Sequence, residues 1–123
     1  MRRVLLIDDD DSIREVAVVA LEVVGGWDVL AAGSGQDGLR LAALERPDAI
    51  LLDVMMPGMD GPTTLSLLRQ DPRTQEIPVI FLTAKLQAAE QRRWDDLEVA
   101  GVLAKPFDPM LLPTQIADLL GWT

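Results

Sequence analysis

Five short apolar runs with no polar residue inside them constrain this chain more than any other feature of its sequence. Residues 4–7, 29–32, 49–52, 79–82 and 102–104 read VLLI, VLAA, AILL, VIFL and VLA. A strand with one face in water alternates apolar and polar residues. These runs instead predict strands covered on both faces, as in a parallel sheet packed between helices. The stretches between them supply the helices. Residues 12–24 set Ile13, Val16, Ala17, Ala20, Leu21 and Val24 at helical spacing, and Gly25 and Gly26 then stop them. Residues 36–45, 63–69, 86–97 and 110–120 read as further helices, that at 63–69 opened by Asp60 as N-cap with Pro62 in its first turn. Alternation of this kind defines an α/β domain of five βα units.

Length and composition narrow the chemistry. A chain of 123 residues makes one domain, 1–123, and folding at that size buries roughly two-thirds of the unfolded surface. Hydrophobic residues at 49% argue against disorder, and a net charge of -9 argues against a nucleic-acid surface or an anionic membrane. Without Cys there is no disulfide, thiolate metal site or thiol nucleophile, and without His there is no imidazole base. If phosphate moves here, this protein receives it. Arg2 and Arg3 precede only a four-residue apolar stretch, too short for a signal peptide, so a cytoplasmic protein without a membrane anchor is expected.

What ends each apolar run is more telling. The first runs into Asp8 and Asp9, the third into Asp53, the fourth into Thr83 and the fifth into Lys105. In a parallel sheet the carboxyl ends of the strands share one edge, where open α/β sheets bind ligands. Three converging carboxylates repel one another and call for a cation. An all-oxygen site suits Mg2+, for which Mn2+ could substitute, and Mg2+ accepts phosphate oxygens as further ligands. Asp53 is then the nucleophile, while Lys105 and the Thr83 hydroxyl share the phosphoryl charge with the cation.

These residues, in this order and spacing, resemble the receiver domain of two-component response regulators over essentially the whole chain. The likeness is carried by VLLIDDD at 4–10, LLDVMMPGMDG at 51–61, FLTA at 81–84 and AKPF at 104–107. It implies a flavodoxin-like (βα)5 sandwich of strand order 2-1-3-4-5 with Asp53 phosphorylated. It further implies that Asp9 and Asp53 touch Mg2+ directly, Asp8 acts mainly through bound water, and Met55 adds its backbone carbonyl. Thr83 and Ala84 would meet the phosphoryl group, Lys105 would pair with it, and the Lys105–Pro106 bond would be cis. The donor implied is a histidine kinase or a histidine phosphotransfer protein. Output is expected through the face made by the fourth helix, fifth strand and fifth helix to a separate, unknown protein, from a monomer or a phosphorylation-dependent dimer. Since the sequence stops at Thr123, no output domain is expected on the chain. The protein is expected to assist only its own phosphorylation and dephosphorylation.

Two features depart from the family pattern. Val102 stands where many receivers carry Tyr or Phe, which removes the aromatic part of their switch. Lys85 and the apolar Met55 flank the expected path of the hydrolytic water, which predicts slower loss of phosphate than from a variant with Asn at position 55. Trp27 and Trp122 read as packing residues, and Trp94 as the best partner contact of the three tryptophans. Two other functions fit less well. An aspartate-nucleophile phosphatase of the haloacid dehalogenase type shares the Asp-x-Asp start at Asp8 but needs a later acidic pair and a cap. A module that keeps the fold without the chemistry would leave all five site residues unexplained.

Overall fold

The computed structural model describes residues 2–84 and 98–122. The helix expected at 86–97, with Lys85 and Trp94, lies outside the described residues. The strands are β1 (Arg3–Ile7), β2 (Asp28–Ala32), β3 (Ala49–Asp53), β4 (Val79–Thr83) and β5 (Gly101–Ala104). All pairs are parallel and the order is β2-β1-β3-β4-β5, the flavodoxin-like arrangement. Helices α1 (Asp11–Val19), α2 (Gly35–Glu45) and α3 (Gly61–Gln70) connect the strands, and α4 (Leu112–Leu120) follows β5.

Successive strand residues point to opposite faces, so the apolar runs build two cores. Leu5, Ile7, Ile50, Leu52 and Phe81 pack with Ala42 of α2 and Leu65 and Leu68 of α3. Val4, Leu6, Leu51, Ile80 and Leu82 pack with Ala17 of α1, with Leu21 just after it, and with Leu112 and Ile116 of α4. Each fully buried Leu or Ile stabilises the fold by about 1.5–3 kcal/mol over its exposed state. Coverage on both faces holds for β3 and β4, which are buried throughout, but not for β2 and β5, which are mostly half-covered. Those two are the outermost strands and have a strand neighbour on one side only, so an apolar run does not report its place in the sheet.

The helix starts follow their caps. Asp60 accepts from the Thr63 N–H at 2.9 Å, with Pro62 in the first turn of α3. Ser34 caps α2, accepting from Asp37 N–H at 3.2 Å. The expected helix over 12–24 begins one residue earlier, because Asp10 caps it through the N–H groups of Ser12 and Ile13. After Val19 it widens into a π-helical stretch, Ala20–Val24, and stops at Gly25 and the left-handed Gly26 (φ +70). The last helix starts at Leu112 rather than 110. Asp108 instead turns the chain, accepting from Met110 N–H at 2.9 Å, and Pro113 sits in the first turn. Trp27 and Trp122 meet edge to face at 5.2 Å, with Arg2 over the Trp122 ring at 4.5 Å. Both are packing residues, as expected.

Candidate functional site

Register brings the site together. Ile7 pairs with Leu52, Asp53 with Leu82, and Thr83 with Ala104, so Asp8, Asp53, Thr83 and Lys105 leave the sheet at one rim. Asp8 is fully buried. Its N–H donates to Ala32 O at 3.1 Å, and its Oδ1 accepts from Asp10 N–H at 2.9 Å. Asp53 closes β3 and is 3% exposed, whereas Asp9 is exposed. Behind Asp53 the chain doubles back, with Gly61 N–H donating to Val54 O at 2.9 Å. Gly61 presses on Asp53 so closely that a Cβ there would lie 2.7 Å from the Asp53 carbonyl oxygen. Met55 N–H reaches Asp53 Oδ1 at 3.3 Å, and its side chain is largely exposed.

Lys105 enters from the far side of the rim. Its N–H donates to Thr83 O at 2.8 Å, and the bond to Pro106 is cis. Its ammonium lies 2.8 Å from Asp8 Oδ2 and 3.0 Å from Asp53 Oδ1. Thr83 is buried at the end of β4, and Ala84 is exposed just beyond it. Ala84 lines an apolar groove with Ser12, Ile13, Val16, Lys105, Pro106 and Phe107.

One ammonium does not balance this much negative charge. Burial pushes the Asp53 carboxyl up to about 6; Asp8 adds to the rise, and Lys105 with the Met55 N–H holds it back. Burial works against the Lys105 charge as well, but its contacts with Asp8 and Asp53 outweigh that and raise its pKa. One carboxylate oxygen from each of Asp8, Asp9 and Asp53 lies within 4.8 Å of the others. Asp8 Oδ2 is buried and, although the ammonium neutralises it by proximity, it accepts no aligned hydrogen bond. Among the described residues this cluster offers carboxylate oxygens alone, with no His or Cys ligand, and such a set fits a hard divalent cation such as Mg2+.

Half of the acidic run is structural. Asp10 caps α1, and Asp11 in its first turn pairs with Arg14. Sequence reasoning missed Arg14, which donates to the Asp8 carbonyl at 2.8 Å, and the pressure of Gly61 on Asp53. The spacing of Arg14 from Asp11, three positions along a helix, was the available signal for the first. Nothing in the sequence marks the second.

The fold and rim define a receiver domain. The profile of the response regulator receiver domain family matches residues 4–117, and the chain belongs to that family, whose general role is to accept a phosphoryl group in two-component signalling. It is 40% identical over its full length to 51% of the DNA-binding dual master transcriptional regulator RpaA of Synechocystis. It is likewise 40% identical, over 94% of its length, to 46% of the transcriptional regulatory protein AfsQ1 of Streptomyces coelicolor. The chain thus spans about half the length of these curated relatives. Among solved structures it is similar to the chemotaxis protein CheY4 of Vibrio cholerae, with a TM-score of 0.89 at 29% identity, covering 97% of this chain and 98% of that one. Among the described residues, no helix is long and apolar enough to cross a membrane.

Proposed function

We propose that Asp53 accepts a phosphoryl group from a phosphohistidine on a histidine kinase or a histidine phosphotransfer protein, with Mg2+ (or Mn2+) held by Asp8, Asp9, Asp53 and the Met55 carbonyl. The observation that carries this reading is Lys105 Nζ in contact with both Asp8 and Asp53 at 2.8 and 3.0 Å, beside a carboxylate trio. A carboxyl titrating near 6 is mostly ionised at neutral pH and is therefore available as a nucleophile. An Asp53 oxygen attacks phosphorus as the P–N bond breaks, and the imidazole leaves with the bonding pair. A cation held by these carboxylates would supply charge neutralisation on the phosphoryl oxygens. Lys105 takes up one of those oxygens from the position it already holds, and the Thr83 hydroxyl, with Ala84 beside it, meets another. The chain thereby assists only its own phosphorylation and dephosphorylation.

The donor has a surface to dock on. Val16 joins the groove beside Lys105 to a second apolar trough, lined by Val19, Ala20, Val23, Val24, Pro109 and Met110 with Glu15 at its margin. A donor seated there would lie against Ala84 and Lys105, which line the groove. Output is assigned to residues 99–104, the last helix and the segment at 86–94. Val102 sits opposite Phe81 and packs on the core, so position 102 contributes no ring to the switch.

Incubation with Mg2+ and acetyl phosphate tests the chemistry. One phosphoryl group per chain, acid-stable and base-labile, should appear in mass spectra and be absent from Asp53→Asn. Undiminished labelling of that variant, or sustained monoester turnover lost in Asp8→Asn, would instead favour a phosphatase.

A further inference from the structure

At the corner between β1 and α1 one side chain is held on three sides without touching the phosphoryl position. Arg14 Nη1 donates to the main-chain carbonyl of Asp8 at 2.8 Å. Its Nη2 pairs with the Asp11 carboxylate, and the side chain is 23% exposed. The guanidinium also lies against Gly33, where an added Cβ would stand 3.3 Å from Nη1 and 3.6 Å from Cζ. A position this enclosed suits a planar fork that makes several directed contacts, and lysine does not reproduce it.

The carbonyl that Arg14 holds belongs to the peptide plane joining Asp8 to Asp9, so fixing that oxygen fixes the direction in which the chain enters Asp9. The Asp8 N–H, tied to Ala32 O at 3.1 Å, holds the other side of the residue. Asp9 is exposed, so packing does not aim its carboxylate, yet that carboxylate must stay within 4.8 Å of those of Asp8 and Asp53 for the trio to grip one ion. We propose that Arg14 is a positioning residue for divalent-cation binding, which locks the Asp8–Asp9 peptide so that the Asp9 carboxylate points into the site. This rests on the reading of Asp8, Asp9 and Asp53 as Mg2+ ligands.

A guanidinium near a cation site has an opposite effect through its charge, and the two effects separate by sign. Asp11 already offsets the Arg14 charge. If charge governed, Arg14→Met would tighten Mg2+ binding and Arg14→Lys would leave it unchanged. If positioning governs, both variants weaken it. The expected loss is about tenfold, the low end of what removing an outer partner of a metal ligand costs. Mg2+ affinity would be measured by isothermal titration at pH 7.5 on the parent, Arg14→Lys and Arg14→Met, each first shown to be folded by circular dichroism. The Mg2+ concentration giving half-maximal phosphorylation by acetyl phosphate should rise by the same factor, with the rate at saturating Mg2+ unchanged. That split is not expected from general destabilisation. Affinities within twofold of the parent, or a tighter Arg14→Met, would overturn the inference and leave the metal reading standing. A parent that binds no Mg2+ would remove both.

Discussion

Replacing Asp53 by Asn should make the metal-free protein more stable, although it removes an ion-pair partner of Lys105. The Asp53 carboxyl is held near 6 in the fold, against 3.8 for the ordinary group, because burial and the neighbouring Asp8 outweigh Lys105 and the Met55 N–H. The unfolded chain therefore releases this proton first as pH rises. Stability contributed by the protonated carboxyl is fully present below about pH 4, is lost between about 4 and 6, and stays lost above that. A difference of about two pKa units corresponds to roughly 3 kcal/mol, and the favourable effect of Lys105 is already contained in it. Asn is never ionised, and Lys105 keeps Asp8 as a partner at 2.8 Å. The variant should thus gain about 1–3 kcal/mol over the parent at pH 7.5 in EDTA, which for this size is about 3–10 °C in Tm, and almost nothing at pH 4. Mg2+ should reverse the order, since an ion at a thousand times its Kd adds about 4.1 kcal/mol to the parent alone. Urea titrations followed by tryptophan fluorescence, at pH 4 and 7.5 with and without Mg2+, measure each of these. A variant no more stable than the parent at pH 7.5 in EDTA, or a gap that does not close towards pH 4, would refute the electrostatic account of the rim.

Lys105→Met leaves the buried carboxylates of Asp8 and Asp53 without their shared cation; the metal-free protein should lose about 3 kcal/mol at pH 7.5, largely restored by Mg2+, as read by thermal melts. Gly61→Ala forces a Cβ to within 2.7 Å of the Asp53 carbonyl oxygen and 2.8 Å of Val54 Cα. Both neighbours are backbone, so the strain should cost about 1–3 kcal/mol and weaken Mg2+ binding by titration; a stable variant with parental affinity would show that the loop yields freely. Met55→Asn places a hydrogen-bonding group on an exposed position beside Asp53, the proposed phosphoryl acceptor, and phosphate should be lost faster than from the parent; an equal or slower decay of the phosphorylated mass would count against a role for Met55.

The rim was readable because its residues are punctuation. A side chain that ends a buried strand lies at the same edge as those ending its parallel neighbours, so Asp8, Asp53, Thr83 and Lys105 could be placed together without knowing a contact. Caps were readable for a similar local reason, as at Asp60. The π-helical stretch Ala20–Val24 was not, since a five-residue change of pitch leaves the apolar spacing of Ala20, Leu21 and Val24 nearly intact. Glycines carried the least warning. Gly38 lies inside α2, where an added Cβ would run into Ile7 just before Asp8, and that closeness arises only once α2 has docked on β1. The strand order came from family likeness, because five apolar runs of similar length do not order themselves.

The same imbalance that destabilises the metal-free rim makes it selective for its task. Lys105 bridges Asp8 and Asp53, but one positive charge facing three carboxylates leaves Asp53 partly inclined to keep its proton and Asp8 Oδ2 without an aligned donor. A second lysine would satisfy both and would also compete with a metal for the same oxygens. Leaving the deficit open means that a divalent ion would relieve it on binding, and that a phosphoryl group arriving with its own negative charge would meet Lys105 as well as the ion. The rim is therefore held short of electrostatic closure by its own composition, and the rank order of stability should be parent below Asp53→Asn without Mg2+ and above it with Mg2+.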